Sequence, residues 1–217
     1  FHFMESIWML NGNNDVESME YFNKRMVEFS DDGKILRGAY GYRWRNHFVI
    51  DQLKLIIGRL KHFKNDRRSV LAMWDPADDL HSHNSRKDLP CNTHVYFTIR
   101  NNELHMTVCN RSNDLIWGCC GANAVHMSYL QEYVASMVNV KVGTYTQFTQ
   151  NLHAYKDVLK TIKNIQPDYD SYASRGLSYI TPLVTHQPLF DYECRAFMEG
   201  SINRKFTNKI FNEVACP

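Results

Sequence analysis

Two runs of β-branched and aromatic residues, 95–100 and 104–109, flank the pair Asn101-Asn102, and they constrain the fold more tightly than any other stretch. Asparagine tolerates positive φ, so two of them between alternating runs predict a tight antiparallel hairpin. A hairpin alone is only marginally stable and needs its apolar face covered. The chain supplies the cover. Val49, Leu53, Ile56, Ile57 and Leu60 fall at i, i+4, i+7, i+8 and i+11, which predicts an amphipathic helix over about 48–62. Val125, Leu130, Val134, Met137 and Val138 mark a second helix over about 124–138, with a strand over 140–145 after it. Residues 168–188 are polar and show no period, so they read as loop. The expectation is a single α+β domain over residues 1–217, with a mostly antiparallel sheet and packed helices.

Composition narrows the function. Hydrophobic residues make up 44% and charged residues 22%, and no stretch approaches the ~18 consecutive apolar residues of a membrane span. Disorder and membrane spanning are thereby excluded. Lys plus Arg number 25 against 23 Asp plus Glu, a net +2, which does not support direct nucleic-acid binding. An anionic ligand must therefore meet a few well-placed cations. The six cysteines (91, 109, 119, 120, 194 and 216) are too irregular for a disulfide scaffold, which suits a reducing, cytoplasmic setting. The chain starts at Phe1 inside an apolar pattern, with neither an initiator Met nor a basic leader, so it reads as lacking an upstream segment.

Several residues carry candidate chemistry. Cys91 follows Asp88-Leu89-Pro90, and the X-Pro segment restricts how the thiol approaches. Most isolated cysteines are small apolar core residues. A reactive thiolate needs nearby positive charge, which Arg67, Arg68 and Arg111 could supply. Paired arginines such as Arg67-Arg68 are usually a solvated patch. Arg111-Ser112 at a strand end instead offers a guanidinium with a hydroxyl, a clamp suited to phosphate or carboxylate. Neither His81-Ser82-His83 nor Cys119-Cys120 has zinc-site spacing, so no metal is expected. His153 and Tyr155 alternate along a predicted strand and would face one side. Glu5 is a lone acid in an apolar start, suited to proton transfer if buried.

Taken in order, Glu5-x-x-Trp8, Tyr40-Gly41-x-x-Trp44-Arg45, Arg67-Arg68, Trp74-Asp75-Pro76, Leu89-Pro90-Cys91, Arg111-Ser112-x-Asp114, Gly118 and His153-x-Tyr155 resemble the thymidylate synthase superfamily. Each fragment is weak, and the ordered set is strong. The resemblance implies that Cys91 is the nucleophile adding to C6 of a pyrimidine nucleoside monophosphate and Glu5 the acid managing proton and water transfers. It gives Arg111 and Ser112 to the phosphate, and Arg67 and Arg68 to the phosphate of the neighbouring subunit of a homodimer. It assigns His153 and Tyr155 to the sugar hydroxyl. Asp114, Trp117, Gly118 and Met26 fall near the folate, so methylenetetrahydrofolate is the implied one-carbon donor. Thiolate addition makes C5 a carbon nucleophile, and elimination of the folate then leaves an exocyclic methylene. Synthases quench it with hydride and hydroxymethylases with water.

Departures point toward water. Asn92 stands where synthases carry His, and Cys91-Asn92-Thr93, Arg111-Ser112-Asn113-Asp114 and Leu152-His153-x-Tyr155 resemble the hydroxymethylase branch. Met26 and Phe29 align with tryptophans that shield the synthase intermediate, and a smaller shield favours hydration. The base-reading position, eleven residues after Arg111, is Ala122, with Asn123 one further. Ala there resembles cytidylate hydroxymethylases, which places CMP or dCMP first. A one-residue slip would bring the Asn123 amide to uracil and favour dUMP. Thymidylate synthase itself and a non-catalytic nucleotide-binding relative are the remaining alternatives.

Overall fold

The computed structural model describes residues 1–80, 86–165, 181–200 and 205–215. The elements run as α1 (His2–Asn11), the single turns α2 (Glu17–Glu20) and α3 (Met26–Phe29), and α4 (Tyr40–Tyr42), which continues into a π-helical turn Arg43–His47. Then come α5 (Gln52–His62), β1 (Val70–Ala72), α6 (Pro76–Asp79), β2 (Asn92–Arg100), β3 (Glu103–Asn110) and β4 (Asn113–Asp114). A second π-helical turn, Leu115–Ala122, leads into α7 (Asn123–Val138), β5 (Lys141–Thr149), β6 (Leu152–His153) and α8 (Lys156–Ile162), and two further helices span Gln187–Met198 and Lys209–Ala215.

The hairpin forms as the asparagine pair dictates: Asn101 and Asn102 take φ of 50° and 62°, and Arg100 pairs with Glu103 across the turn. The main sheet runs β1-β2-β3-β5. It is antiparallel over its first three strands and parallel where β5 joins β3, because α7 carries the chain back across the sheet. Val95, Phe97, Ile99, Leu104, Met106 and Val108 are buried on the inner face, as are Met127, Leu130 and Val134 of α7, which packs against β3 and β5.

Helix α1 runs through the core with Ile7, Trp8, Met9 and Leu10 buried. Gly41 lets α4 cross it at backbone contact, since a Cβ there would overlap the Met9 carbonyl. This close approach sets Tyr40 and Glu5 on the walls of one cleft. Beneath it the buried Arg43 guanidinium pairs with Asp79 at 2.8 Å and 3.2 Å.

Some predicted boundaries move. The helix expected from residue 48 starts at Gln52, where the Asp51 side chain accepts from Lys54 N at 2.8 Å and caps it; Val49 sits at φ 63°. The strand expected over 140–145 runs to Thr149. Within the predicted loop 168–188, residues 168–180 lie outside the described residues, and Gln187 and Pro188 open the helix Gln187–Met198, where a first-turn proline lacks only an N–H that would have no helical partner. His81-Ser82-His83 lies outside the described residues. The five described cysteines are free, and no helix among the described residues is long and apolar enough to cross a membrane.

Candidate active site

A cleft of about 250 Å³ opens between α1, α3, the start of α4, the Asp88–Cys91 segment and the start of α7. It gathers Glu5, Met26, Cys91, Ala122 and Asn123, drawn from four separate places in the sequence, and Phe29 lines it too. Cys91 closes the Leu89-Pro90 segment immediately before β2. Its carbonyl accepts from Arg111 N at 2.9 Å. The Arg111 guanidinium bonds the carbonyls of Pro90 (3.0 Å) and Leu89 (3.2 Å) and lies 5.5 Å from the Trp74 ring. Arg111 thus fixes the cysteine segment as well as bringing charge to it. Burial pushes the Cys91 thiol up, Arg111 draws it back down, and Asp88 pushes it up again. Asp88 is itself held above the usual carboxylate range by burial, while accepting from Gly38 N at 2.8 Å.

Glu5 meets a residue the sequence did not single out. His126, buried on α7, places Nε2 at 2.8 Å from Glu5 Oε2, and His2 Nδ1 lies 3.5 Å from the same oxygen. The His126 contact makes a hydrogen-bonded pair at the cleft wall, and with His2 it brings three potential ligand atoms within 4.8 Å of one another.

Ala122 and Asn123 both line the cleft, but only Asn123 brings an amide. Its Oδ1 receives the Tyr40 hydroxyl and Asn92 Nδ2, each at 3.3 Å, and its Nδ2 donates to Asn113 Oδ1 at 2.9 Å. Burial pushes the Tyr40 phenol well above its ordinary value, so its hydroxyl stays protonated. The π-helical turn Leu115–Ala122, broken by a kink at Gly121 (φ −115°, ψ −120°), leads directly into Asn123. The N-terminus of that turn is capped by Asp114, whose Oδ1 accepts from Ile116 N (3.0 Å) and Trp117 N (2.6 Å). Asp114 Oδ2 is buried with no hydrogen-bond partner among the described residues, next to the 65% exposed indole of Trp117. Gly118 makes room for the amides, since a Cβ there would collide with Asn113 Oδ1 and press on Asn123 Nδ2.

Other predicted residues stand outside the cleft. Ser112 is partly exposed in the link between β3 and β4. Arg67 and Arg68 are exposed on the segment entering β1. His153 pairs with Asp114 through β6 and β4, and its ring meets that of Tyr155 edge-on at 5.4 Å. The expectation that both lie along one strand is corrected: β6 ends at His153, and Tyr155 is the residue preceding α8. The rings meet across that bend. Sequence reasoning missed His126, Tyr40 and Asn113 as site residues. His126 could have been found as the i+3 neighbour of Asn123, on the same face of the helix.

The thymidylate synthase family model matches residues 2–195. The chain is 46% identical, over its whole length, to the deoxyuridylate hydroxymethyltransferase of Pseudomonas phage M6 and spans 64% of that protein. It is 39% identical over 72% of its length to the deoxyuridylate hydroxymethyltransferase of Bacillus phage SP01, of which it spans 43%. The crystal structure of thymidylate synthase from T4 phage superposes with a TM-score of 0.62 at 25% identity, over 76% of this chain and 63% of that one. With the family model covering most of the chain, and Cys91, Glu5 and Asn123 meeting in one cleft, the chain belongs to the thymidylate synthase family.

Proposed function

We propose that residues 1–217 form one catalytic domain that 5-hydroxymethylates a pyrimidine nucleoside monophosphate, with dUMP as substrate. The observation that carries this reading is the convergence of Cys91 with the Glu5–His126 pair in one cleft. Cys91 Sγ adds to C6 of the base and gives up its proton, and C5 becomes the carbon nucleophile. Methylenetetrahydrofolate, when bound, supplies the one-carbon unit. The orphaned Asp114 Oδ2 suits the N–H donors of a pterin and Trp117 offers a flat apolar face, so Asp114, Trp117, Gly118 and Met26 would hold it. Loss of the C5 proton and of tetrahydrofolate would leave an exocyclic methylene on C5; Glu5 and His126 orient water toward it, and departure of the Cys91 thiolate restores the aromatic base. Met26 and Phe29 leave that water a path.

Uracil is favoured over cytosine because Asn123 faces the cleft with a polarised amide. The names of the phage relatives support the same base. Arg111 and Ser112 hold the phosphate, with His153 and Tyr155 at the sugar. In a homodimer, Arg67 and Arg68 complete the phosphate site across the interface; the outer sheet face, with exposed Tyr96 and Phe148, suits a second copy.

Incubation with methylenetetrahydrofolate and dUMP, dCMP or CMP, followed by product mass, tests the reading. A gain of CH₂O on dUMP without dihydrofolate is expected. A gain of CH₂ with dihydrofolate formed would make the chain a methylating synthase, and turnover unchanged in Cys91→Ser would remove the covalent mechanism.

A further inference from the structure

Behind Asn123 the buried amides form a closed ring in which every donor points the same way round. Asn123 Nδ2 donates to Asn113 Oδ1 at 2.9 Å, Asn113 Nδ2 to Thr149 Oγ at 3.4 Å, and the Thr149 hydroxyl to Asn110 Oδ1 at 3.1 Å. Asn110 Nδ2 donates to Asn92 Oδ1, and Asn92 Nδ2 returns to Asn123 Oδ1 at 3.3 Å. Asn92, Asn110 and Asn113 are each at most 3% exposed, so water cannot substitute for a lost partner.

Taken alone, such a ring has two directions. Flipping all four amides and turning the hydroxyl reverses every bond and breaks none. The Tyr40 hydroxyl does not settle the choice, because it can accept as well as donate. One further contact does. Gln147 Nε2 donates to the Cys119 carbonyl at 3.0 Å, and a backbone carbonyl can only accept. Gln147 must therefore turn Oε1 inward, where it takes Asn113 Nδ2 at 3.0 Å, and Asn113 must present its oxygen to Asn123.

We infer that Gln147 is a positioning residue for base choice: anchored on the Cys119 carbonyl, it sets the direction of the amide ring and so the polarity of Asn123, making the site take uracil monophosphate and refuse cytosine monophosphate. The inference rests on the reading of Asn123 as the base reader. Uracil offers an N–H at N3 and an acceptor at C4, and cytosine offers the reverse, so an amide of fixed polarity pairs with one and clashes with the other. An amide free to flip pairs with both.

The test is the ratio of dUMP to dCMP dissociation constants, measured by calorimetry on the whole chain. Wild type is expected to favour dUMP. Gln147→Met keeps the ring but removes its direction, and the preference should fall about tenfold or more, mainly through tighter dCMP binding. Gln147→Glu still presents an oxygen to Asn113 and should retain the preference. Thr149→Val opens the ring while leaving the anchor, and should retain it too. General damage to the fold would weaken both nucleotides alike and cannot mimic the expected fall in the ratio, so the ratio is read on Gln147→Met protein that melts as wild type does. An unchanged ratio in Gln147→Met, with wild type favouring dUMP, overturns the inference alone. Wild type binding neither nucleotide, or both equally, overturns the reading of Asn123 and the inference with it.

Discussion

Replacing Asp79 with alanine strands a charge in the middle of the protein. Arg43 and Asp79 are each 0% exposed at the side chain and share two hydrogen bonds, 2.8 Å and 3.2 Å. Asp79 Oδ2 also accepts from Asp75 N at 2.8 Å, holding the turn into α6. Removing one partner of such a pair costs about 3–5 kcal/mol, mostly because the remaining ion keeps its desolvation penalty; the acid still near Arg43, Asp78 at 3.7 Å, is already paired with Arg86 at 2.6 Å. For a domain of this length, that corresponds to a fall in melting temperature of about 6–20 °C. Urea unfolding followed by tryptophan fluorescence, at one protein concentration so that any association is held constant, measures it directly. Asp79→Asn keeps the shape and one acceptor, and should lose less than Asp79→Ala. An Asp79→Ala loss below about 1 kcal/mol would refute the reasoning, since it would mean that Arg43 reaches water or another acid once Asp79 is gone. The pair also matters for the cleft, because Arg43 follows directly on α4, which carries Tyr40 to Asn123.

Three further outcomes are expected. Alkylation of Cys91, followed by peptide mass, should be slower at neutral pH than for an unburied thiol and should climb as pH rises past the ordinary thiol range; Arg111→Ala should slow it further and Asp88→Asn should speed it, and the opposite order would contradict the electrostatics. If Arg67 and Arg68 serve the neighbouring subunit, mixing inactive Cys91→Ser with an inactive Arg67→Ala/Arg68→Ala variant under subunit exchange should restore activity, because each hybrid dimer has one intact site; no recovery from exchanging dimers would place the arginines elsewhere. Asp66 is held well below the usual carboxylate range, chiefly by Arg59 and then by Ser69, so the stability it contributes is present above the unfolded pKa and lost as pH falls. The gap in melting temperature between wild type and Asp66→Asn should therefore be widest near neutrality and close on acidification; a constant gap would argue against the linkage.

The parts of the fold that could be read in the sequence are those whose signal is local. Asn101-Asn102 announces its own turn, and the apolar spacing of α5 and α7 repeats within each helix. Glu5, Met26, Cys91, Ala122 and Asn123, which line the cleft, could also be picked out from motifs in order along the chain. What stayed hidden depends on distance. Glu5 and His126 lie 121 positions apart, and neither residue's surroundings in sequence point to the other. The amide ring draws its members from β2, β3, β4, α7 and β5, and each, taken alone, is an ordinary polar residue. Base choice was obscured for a different reason. Counting eleven residues from Arg111 reaches Ala122, and a count along the chain does not show that both Ala122 and its neighbour Asn123 line the cleft.

The π-helical turn Leu115–Ala122 also separates two demands that an α-helix would force together. One extra residue in a regular helix rotates everything beyond it by about 100°, which would swing Leu130 and Val134 off the sheet. The break at Gly121 separates the turn after Asp114 from α7, so an addition there would leave α7 in its rotational phase against the strands. A residue gained or lost in that segment would then alter the rim of the cleft at Ala122 and Asn123 without repacking α7 against the sheet.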